Sequence, residues 1–402
     1  MNKNILLVGI VLSLFFLTAC WDHKELNDIG IVSGIAVEKG ETDKYRFTVE
    51  VINASELSKQ GAQGNTPVIS YSLEGNSISE LTMKVMKGLM RVPDYSHTRV
   101  VVIDEEIAKE GLLEFLDFFE RTGEIRNDFN IFISRGVKAS DVITVVDPVQ
   151  KVPGIKMNTQ AQNFFKEWGG DPNVRMTDFI RALTSKGRNP VAQAVTIEGN
   201  PTVGKSVENN KEVIPPANFV LDGLAVFKAD KLAGVMSVED TRNYVWTQNL
   251  KRTVLTVSCE QDNRYIDIHV VSSKTEKNVQ YKNGRLYINL EIDGEAKLLG
   301  TQCSQDLKLI KTMNLYEEYM NKEITKMIKG TIEKAQSEYH SDIFGFGEVL
   351  RRQDYKSFKK LEDEWNEVFT EAEVNIVSDI HLRRSGIRNR SSITEYERNE
   401  RE

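Results

Sequence analysis

A short apolar segment at the amino terminus limits what the rest of the chain can become. Lys3 supplies a positive charge, and residues 5–17 form a nearly continuous apolar run, 13 residues long. A helix needs about 20 apolar residues to cross a hydrocarbon core of about 30 Å, so this run is too short for a stable membrane anchor. A positive start followed by such a run is typical of an export signal that is removed from the mature protein.

The end of the run carries a second signal. Leu17, Thr18, Ala19 and Cys20 form an aliphatic–small–small–cysteine sequence that resembles the lipobox of bacterial lipoproteins. The resemblance implies cleavage after Ala19, a diacylglycerol on the Cys20 thiol and an acyl chain on its new amino group. Two or more acyl chains hold a protein firmly, at about 0.8 kcal/mol per buried methylene. We therefore predict a signal peptide over residues 1–19 and a lipid-anchored mature chain outside the cytoplasmic membrane, with a generic secretory signal as the alternative.

Composition excludes several other classes of protein. Hydrophobic residues make up 40% of the chain and charged residues 28%, which excludes wholesale disorder and a polytopic membrane protein. The net charge of −7 argues against nucleic acid as a partner. Three cysteines exclude a disulfide scaffold, and five scattered histidines argue against a metal site. Cys259 and Cys303 can pair outside the membrane, but we favour two buried free thiols.

The 402-residue chain is longer than one hydrophobic core usually organises. Strand-like and helix-like patterns mostly alternate, which predicts an α/β (mixed α+β) fold of three domains with helices packed on mixed β-sheets. We place an N-terminal α/β domain at residues 20–200 and a small strand-rich middle domain at 201–250. A C-terminal α/β domain follows at residues 251–385, and a disordered polar tail at 386–402. In the C-terminal domain, Asn283-Gly284 is a strong hairpin signal.

Residues 199–206 fit the phosphate-binding pattern G-x-x-x-x-G-K-[ST]. A working loop of this kind opens a long helix whose N–H groups surround the phosphate. Residues 207–212 have almost no apolar stripe and lead into Pro215-Pro216, and an exported protein meets little ATP. We therefore predict a glycine-rich surface loop and no nucleotide.

No hydrolase or metalloprotease signature of the form G-x-S-x-G or H-E-x-x-H occurs. Asp104, Glu105 and Glu106 begin a predicted helix, where acidic side chains favour the positive end of the dipole. We predict no catalytic residue, no metal and no cofactor besides the lipid on Cys20. The segment 342–347, with two glycines and two aromatics after Asp342, is predicted to be a structural corner, with an interaction surface as the alternative.

Several segments resemble, in order, the spore germination receptor C-subunit lipoproteins, the Ger(x)C family. They are Cys20-Trp21-Asp22 with residues 25–28, residues 107–111, 119–121, 223–228 and 231–234, residues 342–347, Trp365 and the closing strand. The resemblance implies a three-domain mixed α/β protein anchored by lipid on the outer face of the spore inner membrane. It also implies two integral membrane partner subunits, one of them transporter-like, in a receptor for nutrient germinants, and no chemistry of its own.

A second class of function competes with this one. An extracytoplasmic solute-binding lipoprotein would capture a nutrient directly, in a cleft between two similar α/β lobes. The predicted C-terminal domain ends in helix, helix and strand with no matching lobe upstream, so we prefer the receptor subunit. A secreted hydrolase is a third possibility, but the sequence shows none of the nucleophile arrangements that such an enzyme would need.

Overall fold

The computed structural model describes residues 28–57, 64–259 and 263–383. The predicted signal peptide, the lipobox at Leu17 to Cys20 and the tail at residues 386–402 lie outside the described residues. Within the described ranges the chain forms one sheet of nine strands and one of four, with helices packed against both. This arrangement confirms the predicted mixed α/β fold class.

The larger sheet has the spatial order β3-β2-β1-β5-β6-β7-β8-β9, with the short β4 beside β1. Strands β1, β5, β6 and β7 run parallel to one another, whereas β2, β3, β8 and β9 are joined to them as antiparallel hairpins. The strand bounds are β1 (Ile29–Lys39), β2 (Tyr45–Ile52), β3 (Val68–Gly75), β4 (Val92–Asp94), β5 (Val100–Asp104), β6 (Asn130–Ser134), β7 (Val191–Gly199), β8 (Ala217–Lys228) and β9 (Lys231–Met236).

Helices cover both faces of this sheet. They are α1 (Ala54–Leu57), α2 (Ile78–Lys84), α3 (Glu105–Glu110), α4 (Leu113–Arg121), α5 (Ala139–Val142), α6 (Pro153–Glu167), α7 (Met176–Leu183) and α8 (Pro201–Gly204). The centres of β5 and β6, residues 100–103 and 131–133, consist of β-branched and aromatic residues buried on both faces, as parallel strands between two helical layers require. Val101 packs in the core with α3 and α4, and its neighbour Val102 packs with α5 and α6 on the opposite face.

The strands of the predicted middle domain extend the larger sheet. β8 pairs with β7 from Ala217 opposite Gly199 to Val226 opposite Val191, and β9 then pairs with β8. The sheet therefore does not stop near residue 200, because β8 returns along the exposed edge of β7 and satisfies its backbone groups. Helix α9 (Val238–Thr247) follows, capped by Ser237, whose side chain accepts a hydrogen bond from the Asp240 N–H. The domain boundaries themselves stay predictions.

The second sheet has the order β10-β11-β12-β13 and is antiparallel except for the final pair. Its strands are β10 (Thr253–Ser258), β11 (Tyr265–Lys282), β12 (Arg285–Thr301) and β13 (Glu373–Arg383). Its helices are α10 (Ile310–Lys334), α11 (Phe346–Gln353), α12 (Tyr355–Leu361) and α13 (Trp365–Thr370). Asn283 and Gly284 both have positive φ, which confirms the predicted hairpin turn between β11 and β12.

Cys259 and Cys303 form a disulfide, with their Cα atoms 6.6 Å apart. The expectation of two free thiols is therefore wrong. The strand register brings the cysteines together, because Ser258 lies opposite Tyr265 and the next residue of β11, Ile266, lies opposite Thr301. The ends of β10 and β12 thus flank the start of β11. The two cysteines therefore lie close in space although 44 positions separate them in the sequence.

Candidate functional site

The first described strand, β1, lies inside the larger sheet, between β2 and β5. Asp28 is the first described residue, and its carbonyl oxygen accepts a hydrogen bond from the Val92 N–H at 2.9 Å. β1 begins at the next residue and pairs with β4 and β5. The lipobox residues Leu17 to Cys20 lie outside the described residues, so their chemistry stays a prediction.

A charged crevice of about 330 Å³ lies at the carboxyl ends of β1, β5 and β6. The chain leaves β5 into α3 on one face of the sheet and leaves β6 towards α5 on the other, so the two connections diverge. Crevices at this edge are the usual ligand sites of open α/β sheets. The lining charges are Glu38, Glu41, Asp104, Glu105 and Glu106 against Lys39, Arg46 and Lys138.

The acids of the crevice already have structural partners. The Glu38 side chain is buried and accepts a hydrogen bond from the Ser140 N–H at 2.5 Å. Asp104 caps α3 by accepting from the Glu106 N–H at 2.9 Å, as the sequence predicted for an acidic helix start, and burial raises its pKa. The Arg46 guanidinium lies 3.9 Å from Glu38 and from Glu41. The crevice carries both signs of charge, and its lining residues offer no hydroxyl, thiol or imidazole group.

The phosphate-binding pattern at residues 199–206 forms a surface loop, as predicted. β7 ends at Gly199, a single helical turn (α8) follows, and a 3₁₀ turn, Val207–Asn210, comes directly after it. The Lys205 ammonium forms an ion pair with Asp141. A helix of one turn cannot present the row of N–H groups that a phosphate-binding loop needs.

The corner at residues 342–347 is fully buried. One carboxylate oxygen of Asp342 accepts hydrogen bonds from the N–H groups of Phe344 and Gly345 at 3.0 and 2.9 Å. The other oxygen accepts from the Gly347 N–H at 3.0 Å and from the Trp365 indole N–H at 2.9 Å. Asp342 thereby holds the start of α11 and the start of α13 together, which confirms the prediction of a structural corner.

Charged side chains from β11 and from the loop before β7 meet this corner. Lys277 of β11 donates a hydrogen bond from Nζ to the Phe344 carbonyl at 2.8 Å, and its ammonium lies 5.7 Å from the centre of the Phe346 ring. Burial, with repulsion from Arg188, lowers the pKa of Lys277 to about 7. Arg188 donates to the Tyr244 hydroxyl at 2.7 Å.

Backbone contacts join the corner to the larger sheet. The Asn189 N–H donates to the Asp342 carbonyl at 2.7 Å, and the Glu348 N–H donates to the Gly187 carbonyl at 3.2 Å. A Cβ on Gly347 would lie only 2.6 Å from the Gly187 Cα, so the close approach requires glycine there. The corner is thus the junction at which the two sheets are fastened to each other.

A second fully buried acid lies under helix α6. Glu50 of β2 accepts hydrogen bonds from the Ser33 hydroxyl at 2.5 Å and from the Gly154 N–H at 3.1 Å. Burial raises the pKa of Glu50 to about 7, although both hydrogen bonds favour the charged form. The carboxyl therefore changes charge near neutral pH while it stays inside the core.

Replacing Glu50 by glutamine is expected to reduce the loss of stability between pH 5 and pH 8. The folded-state pKa of about 7 lies above the ordinary 4.5. The contribution of the Glu50 carboxyl to the free energy of unfolding is then fully present below pH 4.5 and is lost as the pH rises through 7. A pKa difference of 2.5 units corresponds to about 3 kcal/mol. Urea unfolding at the two pH values measures the difference. Glu74→Gln is the control, because backbone N–H groups hold the pKa of the half-buried Glu74 at about 2, so that this residue stays charged between pH 5 and pH 8. An equal pH dependence in wild type and Glu50→Gln would contradict the assignment.

Sequence reasoning did not find Glu50, Lys277 or Arg188. Each is a charged residue in a stretch that reads as an ordinary strand or loop, so only the packing shows that Glu50 is fully buried and that Lys277 and Arg188 are half-buried. Among the described residues, no group of three or more His, Cys, Asp or Glu side chains is placed to hold a metal ion. No helix in the described ranges is long and apolar enough to cross a membrane.

Comparison with known proteins places the chain in a family. Residues 22–197 match the family described as Spore germination protein N-terminal domain, and residues 222–386 match Spore germination B3/GerAC like, C-terminal. Spore germination protein KC of Bacillus subtilis (strain 168) is 29% identical over 396 residues, or 96% of this chain and 97% of its own. Spore germination protein B3 of the same strain is 21% identical, over 90% and 92% of the two chains.

A solved structure shares the fold. The crystal structure of the GerBC protein superposes with a TM-score of 0.51 at 20% identity, covering 88% of this chain and 97% of that one. The two family matches together span most of the sequence, and the relatives align almost from end to end. The protein therefore belongs to the Ger(x)C family of spore germination proteins, as its motifs predicted.

Proposed function

We propose that this protein is the lipid-anchored, non-catalytic subunit of a nutrient germinant receptor in the spore inner membrane. Lipid on Cys20 holds it at the outer face, where it contacts two integral membrane subunits, one of them transporter-like. The observation that carries the proposal is the order of the sequence. The lipobox ends at Cys20, and the match to the germination family begins at residue 22.

The use of the buried acids supports a role in contact rather than in chemistry. Asp342 and Glu50, both fully buried, accept hydrogen bonds from neighbouring backbone N–H groups. Each carboxylate joins two elements, since Asp342 links the starts of α11 and α13 and Glu50 links β2 to α6. Asp104 likewise serves as a helix cap.

The alternative, a solute-binding lipoprotein, requires two similar lobes around a cleft. The two sheets differ in size and topology, with nine strands in one and four in the other. The charged crevice lies at the edge of a single sheet instead of between lobes. These features favour the receptor subunit.

Spores that carry Cys20→Ala as the only copy of the gene test the proposal. Without the thiol no thioether can form, so we expect the protein to leave the membrane fraction and nutrient-triggered germination to fall. Immunoblots of the membrane and soluble fractions and the loss of spore refractility measure the two effects. Intact mass must show that the signal segment has been removed.

Ser13→Ala is the matched control, because it changes the same signal segment and leaves the lipobox intact. It should retain both membrane attachment and the response. Release of the Cys20→Ala protein with a normal germination response would contradict the proposal, and so would an unlipidated wild-type protein.

A further inference from the structure

One end of the larger sheet carries an exposed apolar surface. Met83, Met86 and Met90 are all exposed, Met90 to 94%, and Val92 and Ile69 are exposed beside them. We call these five residues the methionine patch. Soluble proteins rarely expose a contiguous apolar area of this kind without a partner for it.

Backbone contacts bring the patch residues together. Gly88 lies directly against the ring of Tyr71, a residue of β3. The segment after α2 therefore packs on this strand. Gly30 lies against Val51 and Arg91, and Val51 is paired with Ile69 in the sheet. Two shallow cavities, of about 400 and 290 Å³, open within this surface.

Basic residues alternate with the methionines. The segment 83–92 reads MKVMKGLMRV, so Lys84, Lys87 and Arg91 accompany the exposed methionines. Lys84 pairs with Glu80 of its own helix at 3.1 Å, and Lys87 is exposed. Flexible thioether side chains can enter an apolar layer, and the neighbouring cations can bind negative charges above it. The segment therefore suits contact with a surface that has an apolar interior and a negatively charged outer layer.

The position of the patch identifies that surface. The Val92 N–H donates a hydrogen bond to the carbonyl of Asp28, the first described residue. Cys20 precedes Asp28 by eight positions in the sequence. Eight residues span at most about 28 Å when fully extended. The patch therefore lies within reach of the membrane to which lipid on Cys20 would hold the protein. The charged crevice lies at the opposite end of β1.

We propose that the methionine patch rests on the anionic phospholipid surface, with Met86 and Met90 among the headgroups and Lys87 and Arg91 beside their phosphates. This inference rests on the proposed function, since the anchor at Cys20 brings the patch to the bilayer. The patch supplies the second, weaker membrane contact, which sets the orientation of the chain on the bilayer.

Vesicle binding by the complete mature chain, residues 20–402 with Cys20→Ser, tests the patch without the lipid. Sedimentation with vesicles of equal parts phosphatidylglycerol and phosphatidylcholine is compared with pure phosphatidylcholine. We expect binding to the anionic vesicles only. Met86→Ser/Met90→Ser should lower the partition coefficient about tenfold, and Lys87→Glu/Arg91→Glu by at least as much.

Val149→Ser/Ile214→Ser is the matched control, since Val149 is as exposed as Met90, at 93%, but lies outside the patch. It should bind like the parent chain, and circular dichroism should be identical for all variants. Failure of the parent chain to bind anionic vesicles overturns the proposal, and so does equal binding by the patch variants.

The outcomes separate this proposal from the proposed function. Loss of membrane retention by Cys20→Ala together with unchanged vesicle binding in the patch variants leaves the receptor subunit intact and rejects the patch. If the patch variants bind vesicles normally but impair germination in lipidated form, the patch contacts a protein instead, and the lipid proposal is wrong.

Discussion

Replacing Asp342 by alanine is expected to lower the free energy of unfolding by about 4 kcal/mol. The substitution removes the acceptor of four buried hydrogen bonds, from three backbone N–H groups and the Trp365 indole. Because the corner is closed to water, these donors would stay unsatisfied, and each carries its desolvation penalty. Urea unfolding followed by the fluorescence of the four tryptophans, Trp365 among them, measures the loss.

Two further variants make this result specific. Asp342→Asn keeps one acceptor oxygen but turns an amide towards donors on the other side, so we expect an intermediate loss. Asp354→Ala removes an acid that also accepts a backbone N–H at a helix start but lies exposed at the surface. Its effect should be much smaller, because water replaces the lost acceptor. If Asp342→Ala and Asp354→Ala lowered the free energy of unfolding equally, burial of the corner would not contribute to the loss.

Removal of the disulfide is expected to cost a similar amount. The bond closes a loop with a sequence separation of 44 residues, for which the chain-entropy relation gives about 4 kcal/mol. Cys259→Ser/Cys303→Ser should therefore unfold at a clearly lower urea concentration than the oxidised parent. Reductant should shift the parent towards the double variant and leave the double variant unchanged.

Thiol counting provides an independent test of the pairing. The unfolded, unreduced chain, with Cys20 replaced by serine, should contain no free thiol, and two should appear after reduction. Two free thiols before reduction would contradict the pairing. A disulfide is consistent with the predicted export signal, since such bonds persist outside the reducing cytoplasm.

Patterns that depend on neighbouring residues could be predicted from the sequence. Alternation places Leu286, Ile288 and Leu290 in the core of the second sheet, where they are buried. Asn283-Gly284 forms the expected hairpin, because positive φ at both positions is a local backbone property. The predicted lipobox is equally local, since it consists of four consecutive residues, and it stays a prediction.

Other features depend on which buried surfaces meet. Nothing near Cys259 indicates Cys303, since their distance is set by the register of three strands. β8 and β9 resemble a separate unit in the sequence, but the open edge of β7 takes them into the larger sheet.

The surroundings of Glu50, which is fully buried, and of Lys277, which is half-buried, depend in the same way on partners more than 60 residues away, Gly154 for one and Phe344 for the other. Local periodicity and short motifs, set by neighbouring residues, determined the elements, the family and the predicted anchor. Tertiary packing alone decided the disulfide, the single nine-stranded sheet and the surroundings of Glu50 and Lys277, because each brings together residues that are distant in the chain.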